Sequence, residues 1–126
     1  MSNSLHLEAT ATTPEILFDT ESCQFIVRGK SIIVDALHFY NQTLQWIETH
    51  ASDIQSDARI LISMSYFSSS SQKALLLLLR KFKEVTDGKM QVTWDVMEED
   101  EFMQEAGESM SELLDMPFHY NHTSGE

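Results

Sequence analysis

The chain has 126 residues, 42% of them hydrophobic, and a formal net charge of −12 from 20 acidic and 8 basic residues. Such a length suits a single domain over 1–126 whose core needs no metal or disulfide staple, and Cys23, with no second cysteine to pair with, fits a reduced, cytoplasmic setting without structural zinc. The acidic balance argues against the basic footprint that nucleic acid or an anionic lipid surface requires, so neither is an expected partner.

In chain order, "MSNSLHLEATATTPE" lacks the basic and apolar regions of a signal peptide. It reads as a strand over "LHLEAT", a Thr-Thr-Pro turn, and then the strand "EILFD". "CQFIVRG" alternates as a third strand, Cys23, Phe25 and Val27 on one face, closed by Gly29 and Lys30 in a hairpin-like meander. From Asp35, a plausible N-cap by residue type, Leu37, Tyr40, Leu44, Ile47 and Ala51 recur at helical spacing. "ARILISMSYF" is a strand with Ile60, Ile62, Met64 and Tyr66 on its apolar face, and a helix runs from about Ser70 to Thr86. "KMQVTWDV" is another strand, with Met90, Val92, Trp94 and Val96 on one side. An acidic helix follows, with Phe102, Ala106, Met110 and Leu113 or Leu114 inward, stopped at Pro117. "FHYNH" makes a last short strand or tail, and residues 121–126 are expected to fray. The order β-β-β-α-β-α-β-α-β predicts an α/β sandwich with helices packed against a mixed sheet. The longest apolar run, Ala74 to Leu79, is too short to span a membrane.

The densest chemistry lies in "SYFSSSSQKALLLLLRK", residues 65–81. Ser69 with Gln72 fits a capping box, which accounts for one of the four serines. Ser70 with Lys73 matches the S-x-x-K of serine acyl-enzymes, but the companion S-D-N and K-T-G motifs are missing. A phosphate is electrostatically favoured at such a helix start, because free amides and the positive dipole end face it. The five leucines cover every azimuth of the helix, so some face a second helix or a partner rather than the sheet. Elsewhere, the run Glu98 to Glu101 reads as a solvated face matched to a helix dipole rather than a metal site, and no metal or cofactor is expected. The five histidines have no metal-ligand spacing, and Trp46 and Trp94 fall in apolar stripes as core.

"EATATTPEILFD", "ALHFYNQTLQWIE", "YFSSSSQKALLLLLRKFKE" and "VTWDVMEEDEFMQEAGESMSELLDMPF" together resemble the SiaC family of regulatory phosphoproteins over nearly the whole chain. The family loop reads like Tyr-Phe-Asn-Thr-Ser-Ser-x-Lys with the Thr phosphorylated, so Tyr66, Phe67, Ser70, Ser71 and Lys73 match, Ser68 stands for the Asn, and Ser69 for the acceptor. The resemblance thus implies phosphorylation at Ser69, with Ser68 and Ser70 as neighbouring candidates, and a partner-binding loop made of Tyr66, Phe67, Ser68, Ser70, Ser71 and Lys73. A second departure is "GKSIIVDALHFY", which lacks the Pro-Glu-Asn common before this helix, so a different partner is expected at that surface. The resemblance implies a fold like that of anti-sigma factor antagonists (STAS-like). It also implies a non-enzymatic partner-switching cycle: a SiaB-like kinase phosphorylates the loop and a SiaA-like PP2C-type phosphatase reverses it. The unmodified form binds and activates a SiaD-like diguanylate cyclase, raising cyclic di-GMP and favouring biofilm. An anti-sigma factor antagonist is the alternative binding module, and a small Ser-Lys hydrolase using Ser70 the distant alternative.

Overall fold

The computed structural model describes residues 4–54, 57–97 and 99–123. Among these the chain forms six strands, three α-helices and one short 3-10 turn, in the order anticipated from sequence. They are β1 (Ser4–Leu7), β2 (Glu15–Asp19), β3 (Gln24–Ser31), α1 (Ala36–Thr49), β4 (Arg59–Phe67), α2 (Ser69–Val85), β5 (Gln91–Met97), α3 (Glu101–Leu114) and β6 (His119–Thr123), with the 3-10 turn at Ala51–Asp53. The sheet runs β1-β2-β3-β4-β5-β6, antiparallel through β3 and parallel from β3 to β6. Three successive crossovers join adjacent parallel strands and advance in one direction across the sheet, and connections of the usual right-handed sense then put all three helices on one face. Burial agrees: Ile16, Phe18, Phe25, Val27, Ile60, Ile62, Val92 and Trp94 are enclosed under the helices, whereas Leu17, Ile26, Leu61 and Thr93 on the other face stay half-buried. No helix among the described residues is long and apolar enough to cross a membrane.

Helix α2 lies between α1 and α3, which explains its leucine run. Ala74, Leu75, Leu78, Leu79 and Phe82 are buried, Leu76 is half-buried beside α3, and only Leu77 is exposed. Phe82 closes an aromatic cluster with Phe18 and Phe25 at ring separations of 5.4 and 4.9 Å. Helix α3 is set against β5 by Gly107, where a Cβ would fall 2.7 Å from Trp94. The indole Nε1 of Trp94 donates to the Met103 carbonyl at 3.0 Å, so the glycine of "EAGE" is a packing requirement.

Several local expectations are corrected. Gly29 does not close a hairpin: β3 continues through it to Ser31, because parallel pairing with β4 carries the strand onward past an irregularity at Gly29/Lys30. The inward stripe of α1 is Ala36, Tyr40, Thr43 and Ile47, while Leu37 is exposed and Ala51 lies beyond the helix, since the face is set by α2 as well as the sheet. In α3 the inward residues are Met103, Ala106, Gly107, Met110 and Leu114; Phe102 and Leu113 are exposed, because contact with Trp94 selects the glycine side. Residues 121–123, expected to fray, pair with Asp95, Val96 and Met97 in the sheet, and 124–126 lie outside the described residues.

Candidate functional site

The serine run sits where β4 ends at the carboxyl edge of the parallel strands. In that strand the pairing steps from Met64↔Gly29 to Tyr66↔Lys30, leaving Ser65 as an extra residue whose Oγ donates to the Gly29 carbonyl at 3.1 Å. One extra residue inverts the alternation. Tyr66, expected inward with Met64, is therefore exposed, and Phe67 is buried against Trp94 at 6.2 Å. Tyr66 stacks on Phe102 at the start of α3, with ring centroids 6.0 Å apart and 22° between planes.

Ser68, not Ser69, caps α2. Its Oγ accepts from the Ser71 amide at 3.2 Å, its carbonyl accepts from the Gln72 amide at 2.9 Å, and the Ser69–Gln72 capping box is not formed. The cap falls one residue earlier because the strand holds on to it, the Ser68 amide donating to the Ser31 carbonyl at 2.8 Å. The same hydroxyl contacts the Ile33 carbonyl at 3.1 Å, so Ser68 itself shapes the loop where the family pattern has Asn. Ser71 is fully buried, 2.6 Å from Ser31 Oγ and 3.0 Å from Ser68 Oγ, and Tyr40 donates to Ser31 at 3.1 Å. Burial pushes the Tyr40 phenol up to about 12, with the Ser31 hydrogen bond pulling the other way. Ser70 Oγ accepts from the Ala36 amide at 3.1 Å and so caps α1 across the loop; Asp35 occupies the N-cap position without a side-chain cap bond.

That leaves Ser69 as the one serine of the four whose hydroxyl takes no part in these bonds, and its side chain is exposed. One helical turn on, exposed Lys73 lines the same groove of about 260 Å³ with Ser69, Gln72, Leu76, Met110 and Leu113. Ser70 and Lys73 are not brought together as a nucleophile and its base: the Ser70 oxygen is engaged by Ala36. Across the edge, the acidic run is as anticipated at its described positions. Asp100 Oδ1 caps α3 by accepting from the Met103 amide at 3.0 Å, and Glu101 lies in the first turn; Glu98 is outside the described residues. Among the described residues no three His, Cys, Asp or Glu side chains converge as metal ligands.

The sequence pointed to a partner surface at Tyr66 and before α1, but not to the apolar rim that the fold assembles around the serines. Of the eight large hydrophobic side chains exposed among the described residues, six stand at this edge: Ile32, Val34 and Leu37 between β3 and α1, Tyr66 ending β4, and Met97 and Phe102 between β5 and α3. Val34 is 95% exposed although its segment is fixed on both sides, by Ile32 to the Thr12 carbonyl and by Ala36 to Ser70. The signal was the apolar "SIIV" where the family pattern has Pro-Glu-Asn, but an apolar run before a helix reads as core until the fold shows nothing above it.

This arrangement has counterparts among known proteins. The fold is similar to SiaC of Pseudomonas aeruginosa, at a TM-score of 0.79 and 24% identity over 98% of this chain and 99% of that one. It is equally similar, at 0.79 and 24% over 95% of this chain and 98% of that one, to a chain in the crystal structure of the diguanylate cyclase SiaD in complex with its activator SiaC from the same organism. An uncharacterized protein of P. aeruginosa strain UCBPP-PA14 is 25% identical over 118 residues, covering 92% of this chain and 94% of that protein. A family model described as SiaC family regulatory phosphoprotein matches residues 7–123, from the end of β1 to the end of β6 and across the whole serine loop. With its fold and almost all of its length accounted for in this way, the chain belongs to the SiaC family of regulatory phosphoproteins.

Proposed function

We propose that this protein is a non-enzymatic phospho-switch: Ser69 accepts a phosphate from a SiaB-like kinase, a SiaA-like PP2C-type phosphatase removes it, and the unmodified form binds and activates a SiaD-like diguanylate cyclase. The observation that carries this reading is the position of Ser69, the one unengaged hydroxyl of the run, amid six exposed apolar side chains. An apolar rim of this kind suits protein docking at the end of an α/β sheet where ligands usually bind. A phosphate carries about −1.5 to −2 charges, which must be stripped of water if the loop is to be buried against an apolar partner. Glu99 and Glu101 near the same edge add like charge, so the modified loop is a poor apolar contact and a good handle for arginines on a different partner. Replacement of the family Thr by Ser keeps the hydroxyl that this chemistry needs.

The test is phosphate mapping after incubation with a SiaB-like kinase and ATP. One phosphate on Ser69, abolished in Ser69→Ala, is the expected result; undiminished labelling of Ser69→Ala rejects the assignment. In a pull-down with the diguanylate cyclase, Ser69→Ala is expected to bind, whereas Ser69→Asp and Val34→Asp are expected to bind at least tenfold less, the effect of about 1.4 kcal/mol. Equal capture of all three rejects the switch.

A further inference from the structure

We propose that Ser31 and Tyr40, neither of them in the serine run, determine which serine is phosphorylated. The inference rests on Ser69 being the acceptor and concerns how its neighbours are withheld. Each hydroxyl has a single proton to give. Tyr40 gives its proton to Ser31 Oγ at 3.1 Å, and Ser31 gives its own to Ser71 Oγ at 2.6 Å. Ser68 gives its proton to the Ile33 carbonyl at 3.1 Å, so the 3.0 Å contact between Ser68 and Ser71 is closed by the proton of Ser71. The result is one directed chain, Tyr40 to Ser31 to Ser71 to Ser68 to Ile33 carbonyl, with every proton placed.

A kinase needs the acceptor hydroxyl free and extended into its own site. To offer Ser71 or Ser68, the first turn of α2 must open, and the chain must break at Ser31 or Ile33. Ser31, Tyr40 and Ser71 are fully buried, so the orphaned hydroxyls meet no water to replace the lost bond. Ser70 is withheld by the same fastening, since its oxygen holds the Ala36 amide across the loop that Ser68 secures at Ile33. Ser69 alone escapes, its side chain leaving the helix on the solvent side. Four adjacent serines thereby become a single-site substrate, and the selectivity lies in β3 and α1, not in the kinase alone.

The experiment uses the full chain in a Ser69→Ala background, with a SiaB-like kinase, ATP and phosphopeptide mapping. Ser69→Ala alone is expected to stay unlabelled. Adding Tyr40→Phe, which removes one oxygen, or Ser31→Ala is expected to turn on labelling of Ser68, Ser70 or Ser71. In otherwise wild-type chains the same changes are expected to add off-site phosphopeptides beside the Ser69 one, as the opened population rises about fivefold for one lost buried hydrogen bond. Val92→Ala, a core change remote from the chain of hydroxyls, controls for general loosening and is expected to leave labelling on Ser69 alone. Ser69-only labelling in both hydroxyl variants overturns the inference, as does equal broadening in Val92→Ala. Wild-type labelling away from Ser69 overturns instead the acceptor assignment beneath it.

Discussion

Replacing Gly107 by Ala sets two effects of opposite sign against each other. Gly107 lies within α3, where alanine is favoured over glycine by about 1 kcal/mol on helix propensity alone. The added Cβ, however, falls 2.7 Å from Trp94 Cδ1 and Nε1 and 2.9 Å from Cε2, whereas ordinary contact begins near 3.4 Å. The indole cannot swing away, because it is fully buried and anchored to the Met103 carbonyl. Either α3 retreats from β5 by about 0.7 Å or the Trp94–Met103 bond breaks, and overpacking of this kind costs about 1–3 kcal/mol, more where a buried hydrogen bond is lost as well. Crowding wins, and the expected net loss is about 1–2 kcal/mol, a fall of roughly 3–8 °C in melting temperature. Urea unfolding followed by tryptophan fluorescence measures it, since buried Trp94 is one of the two tryptophans that report. The shift of α3 also draws Phe102 from its stack on Tyr66, so weaker partner capture is expected alongside. A Gly107→Ala midpoint equal to or above wild type refutes the reasoning, because it means the propensity gain is realised without a clash.

Ser68→Ala and Ser69→Ala separate the true cap from its neighbour: the first is expected to cost about 1–2 kcal/mol and the second under about 0.5 kcal/mol in chemical denaturation. Equal losses contradict the cap assignment. Tyr40 predicts an alkaline limb. Its folded pKa, about 12, lies above the ordinary value of 10, so its contribution is fully present below pH 10 and is lost as pH rises through 12. Wild type is expected to lose on the order of 2 kcal/mol in that window from this group, and Tyr40→Phe to lack that part of the slope. Parallel pH–stability curves for the two proteins rule it out.

The period of the pattern made most of the architecture legible. Alternation marked β3 and β5, three- and four-residue recurrence marked the helices, and the switch between them gave the element order observed. Finer placement failed wherever two neighbours competed for one residue. On α1 and α3 the sequence offers apolar side chains over more azimuth than one interface can cover, and contact with α2 and Trp94 chose Thr43 and Gly107 over Leu37 and Phe102. In β4 one unpaired residue at Ser65 inverted the faces, and no local pattern announces a bulge that depends on the register with β3.

The serine loop divides along the same line. Residue types alone determined that a hydroxyl-rich helix start, able to accept a phosphate, follows β4, and resemblance to a family singled out Ser69. Tertiary structure decided the rest: Ser68 as cap, Ser70 across to α1, Ser71 sealed beneath Ser31 and Tyr40, and Ser69 left free. The physical reason is that a hydroxyl's availability depends on where its single proton and its lone pairs are engaged. Here the engaging partners lie as far as 40 residues away in sequence, brought within hydrogen-bond reach only when β3 pairs with β4.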